Sequence, residues 1–376
     1  MSPLDRTRLL EALALAESSF GVTDPNPRVG CIIGLADGTV LGRGATQQAG
    51  GPHAEVMALR DAQAAGHPAR GATAWVTLEP CAHHGRTPPC CDALIAAGLA
   101  RVVVAVGDPH PQVAGEGLAR LRAAGIEVTM AADAGVADLA AAARDLNIGF
   151  FSRIVRRRPW LRLKIAASLD GRTALANGRS QWITGVAARA DGHAWRRRAS
   201  AVLTGIGTVL EDDPRLDVRL VPTAMQPLRV VVDSRFETPP AARLLDPPGR
   251  GVWIFGAADD TARRAALEAR GARTALLPGE NAKVGLAALL DELGNRDINE
   301  LHVEAGHKLN ASLLRAGLVD ELLVYLAPKL IGLGREMAAF GPLESLADAL
   351  EFRFIDVQPV GDDLRLRLRP PGRERF

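Results

Sequence analysis

Apolar and polar residues alternate in some stretches of this chain and recur every three to four positions in others, so strands and amphipathic helices are predicted in turn. Residues 4–18 predict a first helix, closed by the turn cluster from Gly21 to Pro27. Residues 29–35 and 39–44 predict a hairpin around Asp37-Gly38, a strong turn dipeptide. A helix over 53–65, a strand over 72–78 and a helix over 88–97 follow, the last opened by Pro88-Pro89 and closed by Gly98. A buried strand at 101–106, a helix at 114–124 stopped by Gly125, and a short strand at 126–130 complete an alternation that predicts an α/β/α sandwich, its later strands parallel. Residues 131–151 read as Ala-rich helix.

A basic stretch, Arg-Ile-Val-Arg-Arg-Arg-Pro at 153–159, reads as a solvated hinge, which divides the chain into domains 1–152 and 153–376. The second domain opens on an alternating strand at 160–168. Further strands are predicted at 201–204, 228–233, 252–256, 301–303 and 322–327, with helices at 187–198, 261–269 and 309–316. The tail alternates on both sides of Gly361-Asp362 and predicts a closing antiparallel hairpin. This half is α/β as well. The halves share no motif, so the chain reads as a fusion and not a duplication.

Composition narrows the class. A length of 376 residues suits two domains, and 47% hydrophobic with 23% charged residues gives each an ample core. A net charge of +2 gives no electrostatic case for nucleic acid or an acidic membrane. No apolar run reaches membrane-spanning length. The first helix carries Asp5, Arg6, Arg8 and Glu11, unlike a signal peptide. The expected compartment is the cytoplasm. Four cysteines, three of them between Cys81 and Cys91, fit a metal site in a reducing compartment better than a disulfide framework.

The chemistry concentrates between His53 and Cys91. His53-Ala54-Glu55 places an imidazole and a carboxylate on one helix start, and Pro80-Cys81 with Cys90 or Cys91 brackets a loop of polar residues. One His and two Cys supply three zinc ligands and leave the fourth tetrahedral position to water. Glu55, not a ligand, is then free to carry a proton to a leaving amine, which is the logic of zinc-dependent base deaminases. A lone His or Cys is more often ordinary structure; the combination is what points to zinc. Spacing alone leaves Cys90 and Cys91 open as the third ligand. In the second domain, Gly205-Ile206-Gly207-Thr208 and the turn after Val303-Glu304-Ala305-Gly306 each follow a strand and open a helix, which aims backbone N–H groups at an anion. The spacing is not Gly-x-Gly-x-x-Gly, so the reading is a phosphate-bearing ligand without the ordinary dinucleotide fingerprint.

The run Glu79-Pro80-Cys81-Ala82-His83-His84-Gly85-Arg86-Thr87-Pro88-Pro89-Cys90-Cys91-Asp92-Ala93-Leu94 closely resembles the deaminase half of the bifunctional riboflavin-biosynthesis deaminase/reductase family. Pro25-Asn26-Pro27-Arg28-Val29-Gly30-Cys31, Asp108-Pro109 and Val113-Ala114-Gly115 fit the same family. Lys164 to Gly171, Ser180 to Thr184, Asp212 to Leu216 and Val303 to Gly306 resemble its reductase half. The resemblance implies a cytidine-deaminase-like sandwich followed by a dihydrofolate-reductase-like α/β domain. It implies zinc on His53, Cys81 and Cys90, Glu55 as proton shuttle, and Asn26 against the substrate. It implies NADPH along Ala166, Trp182, Thr208, Asp212, Ser234 and the turn Gly306, His307, Lys308, Leu309, Asn310, Ala311 and Ser312. Ser180, Arg196, Leu216, Arg219 and Glu304 would then hold a phosphorylated substrate, the arginines because guanidinium groups bind phosphate bidentately. His83, His84 and Arg86 are expected to face its phosphate.

Asp24 and Ala166 stand where the family has His and Gly. The implied reactions are deamination of 2,5-diamino-6-(5-phosphoribosylamino)pyrimidin-4-one, then reduction of its ribosyl chain, in a homo-oligomer with neither nucleic acid nor membrane as partner. Two rivals are a nucleic-acid base deaminase fused to an unrelated binding domain and a non-catalytic zinc module. The first needs a basic, aromatic-lined channel, against 4% aromatic residues here, and the second would leave Glu55 idle.

Overall fold

The structure, a computed structural model, describes residues 1–85, 87–110, 114–246 and 249–376. The chain forms two compact units, Met1–Arg156 and Arg157–Phe376. In the first, α1 (Pro3–Glu17), β1 (Gly30–Gly34), β2 (Val40–Ala45), α2 (Ala54–Ala64), β3 (Thr73–Val76), α3 (Cys90–Ala96), β4 (Arg101–Val104), α4 (Glu116–Ala123), β5 (Glu127–Met130), α5 (Ala137–Leu146) and α6 (Ile148–Arg156) follow in order. One sheet runs β2-β1-β3-β4-β5. The hairpin β1–β2 and the β1–β3 pair are antiparallel, and β3–β4 and β4–β5 are parallel.

Small residues set how the helices lie on this sheet. A Cβ on Gly30 would meet the carbonyl oxygen of Ala12 at 2.0 Å, and one on Gly44 that of Ala54 at 2.1 Å. Helices α1 and α2 therefore rest on bare backbone of β1 and β2. Ser2 starts α1 with a reciprocal capping box to Asp5. Asp5 also accepts from Trp75 Nε1 at 2.8 Å and Arg101 Nη1 at 2.7 Å, tying α1 to β3 and β4. The stretch read as one helix over 131–151 is two, α5 and α6, with 131–136 irregular before them. The four residues from Arg153 to Arg156, read as hinge, continue α6.

The second unit comprises β6 (Trp160–Ser168), β7 (Arg172–Leu175), α7 (Val186–Arg198), β8 (Ala201–Gly205), α8 (Ile206–Asp212), β9 (Leu228–Val232), β10 (Val252–Gly256), α9 (Thr261–Glu268), β11 (Arg273–Leu276), α10 (Leu286–Asn295), β12 (Glu300–Val303), α11 (His307–Arg315), β13 (Glu321–Ala327), β14 (Gly334–Glu336), β15 (Arg353–Val360) and β16 (Asp363–Arg369). Its main sheet runs β11-β10-β9-β8-β12-β6-β13-β16-β15, and β14 pairs with β7 apart from it. The pairs from β11 through β13 are parallel, while the last hairpin is antiparallel. Order reverses between β8 and β12, and the carboxyl ends of the parallel strands meet there, where open α/β sheets place their ligands.

Charges are buried in the middle of this sheet. Arg162 has no exposed surface and pairs with Glu300 at 2.8 Å and Glu321 at 2.6 Å. Burial alone would raise Glu321, but the guanidinium groups of Arg162, Arg367 and Arg369 hold its carboxyl well below the usual range.

Candidate functional sites

His53 is the N-cap of α2 and Cys90 the first residue of α3, so two helix starts present side chains to one point while Cys81 arrives on the loop after β3. His53 Nδ1 lies 3.2 Å from Cys90 Sγ and 3.6 Å from Cys81 Sγ, and the N–H of Cys90 donates to Cys81 Sγ at 3.3 Å. Zinc bound tetrahedrally at about 2.3 Å from sulfur and about 2.05 Å from nitrogen puts adjacent N and S atoms about 3.6 Å apart. The three residues fit that ion. They are the cluster of His, Cys and carboxylate side chains, among the described residues, close enough to share a metal. Cys91 is buried and its Sγ turns to Asp92, so Cys90 is the cysteine of this pair that faces His53.

Glu55 sits one residue into α2 and is 3% exposed. Burial first, then the charge of Cys81, pushes its carboxyl up to about 7. Cys81 is lowered to about 4, chiefly by its hydrogen bond with Cys90, which the same bond pushes up. A carboxyl able to hold or give a proton near neutrality thus stands beside a soft metal site. Asn26 lies half-buried in the turn before β1, its N–H bonded to the Thr23 carbonyl. His83 and His84 are exposed, with the His83 ring stacked on His110 at 6.2 Å. Arg86 and Val113 lie outside the described residues.

In the second unit, Gly205, the last residue of β8, and Gly306, three residues past the end of β12, are N-caps of α8 and α11, and β8 and β12 are adjacent and parallel. Both turns line one cavity of about 640 Å³ together with Val232, Ser234, Lys283, Val284 and Leu286. Of the residues expected along NADPH, Thr208, Ser234, Gly306, His307, Lys308, Leu309 and Ser312 line it. A cavity of about 210 Å³ holds Ala166, Asp212, Asn310, Ser180 and Glu304, with Lys164 beside them. Thr208, Glu211, Gly306, His307 and Arg335 line both. Trp182, 61% exposed, and Ala311, buried on α11, lie outside both linings.

Arg196 reaches the smaller cavity through Glu304, donating to its Oε2 at 2.8 Å, and Lys164 Nζ stands 3.9 Å from the same oxygen. Burial would raise Glu304, but Arg196 and Lys164 hold it well below the ordinary value. Leu216 is buried with φ 54°, a conformation that costs a branched side chain energy and turns the chain toward Asp217 and Arg219. Arg219 is half exposed and pairs with Asp217 at 2.6 Å, while its N–H donates to His193 Nδ1 at 3.1 Å.

The chain is 46% identical to the riboflavin biosynthesis protein RibD of Escherichia coli over 377 residues, which takes in 97% of this chain and 99% of that one. The chain belongs to the RibD family. Two solved structures agree over its whole length. RibD of Acinetobacter baumannii matches with a TM-score of 0.85 at 41% identity, covering 98% of this chain and 99% of that one. A Thermotoga maritima diaminohydroxyphosphoribosylaminopyrimidine deaminase/5-amino-6-(5-phosphoribosylamino)uracil reductase matches with the same score and coverages at 32% identity. Residues 4–106 match the cytidine and deoxycytidylate deaminase zinc-binding region, and 159–366 the RibD C-terminal domain. The fold expected for each half of a RibD chain is therefore the fold observed.

Glu211, Lys283 and Arg335 line the cavities of this RibD-family chain but went unnoticed in the sequence. Lys283 comes from the tight turn between β11 and α10, where Gly279 and Gly285 pack against each other. A Gly-bounded turn just before a helical repeat was the available signal. Arg335 is on the short β14 and bonds Glu211 at 2.7 Å across 124 positions, a pairing no local pattern announces.

Proposed function

We propose that this chain deaminates 2,5-diamino-6-(5-phosphoribosylamino)pyrimidin-4-one in its first unit and reduces the ribosyl side chain of the product in its second, yielding 5-amino-6-(5-phosphoribitylamino)uracil for riboflavin synthesis. The observation that carries the reading is the His53, Cys81 and Cys90 cluster with a buried carboxyl beside it, in a chain that matches RibD relatives along its length. His53 Nδ1 and the two Sγ atoms would hold zinc, which when bound would supply Lewis acidity and an acidified water. Glu55 takes a proton from that water and returns it to the leaving nitrogen, so water enters and ammonia departs with no net change at the carboxyl. Asn26 orients the pyrimidine amide.

The larger cavity would hold NADPH, which when bound would supply the hydride. The N–H groups opening α8 and α11 would hold its phosphates, with Thr208, Ser234, His307, Lys308 and Ser312 lining the cavity, and Ala166, Trp182, Asp212, Leu309, Asn310 and Ala311 complete the cofactor-side assignment. Ser180, Arg196, Leu216, Arg219 and Glu304 hold the sugar phosphate and its opened ribose. The second unit's task is placement and charge balance, and no side-chain nucleophile is assigned.

Glu55→Gln tests the first half. We expect zinc to stay bound and ammonia release to fall about 10²–10⁴-fold, while a variant that deaminates normally would remove the proposal. Two further assignments accompany it. Free thiols at all four cysteines fit a cytoplasmic enzyme; no helix among the described residues is long and apolar enough to cross a membrane. Leu330, Leu333, Leu346, Phe354 and Val357 are exposed apolar side chains on and before β15, and a second copy of the chain would cover them. Light scattering that finds only monomers would exclude that.

A further inference from the structure

Helix α4 starts on Gly115, at φ 86°, with no side chain of its own to cap it. The first N–H groups of a helix need acceptors, and one carboxylate from elsewhere in the chain provides them. Glu79 Oε1 accepts from the N–H groups of Gly117 at 3.1 Å and Leu118 at 3.4 Å, and Oε2 from those of Gly115 at 3.1 Å and Asp108 at 3.3 Å. The carboxylate is 4% exposed and lies at the positive end of the helix, where an anion is favoured.

This helix start bears directly on a metal ligand. A Cβ on Gly117 would meet the Pro80 carbonyl oxygen at 2.0 Å, so the first turn of α4 rests on the backbone just before Cys81. One turn further, Arg120 Nη1 donates to the carbonyl of Ala82, just after Cys81, at 3.1 Å. Its Nη2 pairs at 2.7 Å with Asp92, in the first turn of α3, the helix that begins at Cys90. Cys81 in turn receives the Cys90 N–H on sulfur and the Cys91 N–H on its carbonyl. The two cysteine segments are thus joined to each other and both are joined to α4.

We propose that Glu79 and Arg120 are positioning residues of the zinc site: through α4 they fix the Cys81 segment against α3, so that Cys81 Sγ meets the metal that Cys90 and His53 hold. The proposal rests on the assignment of zinc to His53, Cys81 and Cys90. Groups that orient metal ligands without touching the metal contribute about 10–100-fold to affinity. In Glu79→Gln an amide NH₂ replaces one oxygen and faces two N–H donors, so half of the cap turns repulsive while the volume is unchanged.

The test is zinc titration of the full-length chain against a competing chelator, with the cobalt-substituted protein read by its thiolate-to-metal absorption. We expect Glu79→Gln to raise the zinc dissociation constant about 10–100-fold and to change the cobalt band, and Arg120→Ala to raise it about tenfold. Wild-type circular dichroism and a cooperative thermal transition of the metal-free variants separate loss of positioning from loss of folding. Should Glu79→Gln not fold, Arg120→Ala decides, since that side chain is 46% exposed and its removal leaves the core intact. Zinc affinity within about twofold of wild type in the folded variants overturns the proposal. If the wild type binds no zinc, or Cys81→Ser binds it equally well, the ligand assignment fails and the brace with it.

Discussion

Asp5 and Glu55 are both carboxylates with almost no exposed surface, yet their neighbours drive them in opposite directions. Burial alone would raise Asp5, but hydrogen bonds from Arg101, the Ser2 N–H and Trp75 hold it well below the ordinary range, whereas Glu55 has no cation of that kind and rises. A depressed carboxyl stabilises the fold above its unfolded value of about 3.9 and loses that contribution as pH falls through the folded one. Asp5→Asn is therefore expected to unfold at lower temperature near neutral pH, by about 1–3 kcal/mol of stability, because Arg101 keeps Glu127 but loses its buried partner. Its thermal stability should also change less than that of the wild type as pH drops below about 4; calorimetry across that range checks both. Lys283 makes a second prediction, since it brings a cation to the lining of the larger cavity. Lys283→Glu should weaken NADPH about tenfold, with much less effect on NADH, which lacks the extra phosphate; a fluorescence titration with each nucleotide measures the difference.

At the scale of elements, what positions the metal is the seating of α2 on β2. Gly42 and Gly44 face that helix, and a Cβ at either would meet its backbone oxygens at 2.2 and 2.1 Å. Gly44→Ala should push back the helix start that carries His53 and Glu55, and so release zinc and lower the unfolding temperature together, as metal analysis and a thermal scan would record. Much of this architecture was legible beforehand, because strands such as β6 and β13 carry runs of apolar positions. The His53, Cys81 and Cys90 cluster was legible because two uncommon residue types stand close in sequence. Other elements were harder for physical reasons. β7, β11 and β14 span three or four residues each, too few for alternation to register. α8 has only seven residues and begins inside a Gly-rich turn, so its start was legible but its extent was not. α10 was not predicted, although Leu286, Leu289, Leu290 and Leu293 stand at helical spacing, because the turn residues ahead of it masked its start. Lys283 and Arg335 stayed hidden because only the strand order brings them beside Thr208 and His307.

Considered whole, the chain joins two units that each have their own sheet and their own buried core. Their chemistries should accordingly be separable by single substitutions. Glu55→Gln should stop ammonia release yet still reduce supplied deaminated intermediate at the wild-type rate, followed as NADPH absorbance. In the second unit, Thr208, Glu211, Gly306, His307 and Arg335 stand as a party wall, each facing two compartments at once. An occupant that stiffens the wall from one side leaves less disorder for its neighbour to quench, so whatever factor the nucleotide adds to the grip on the sugar phosphate must be returned in equal measure when the order of addition is reversed.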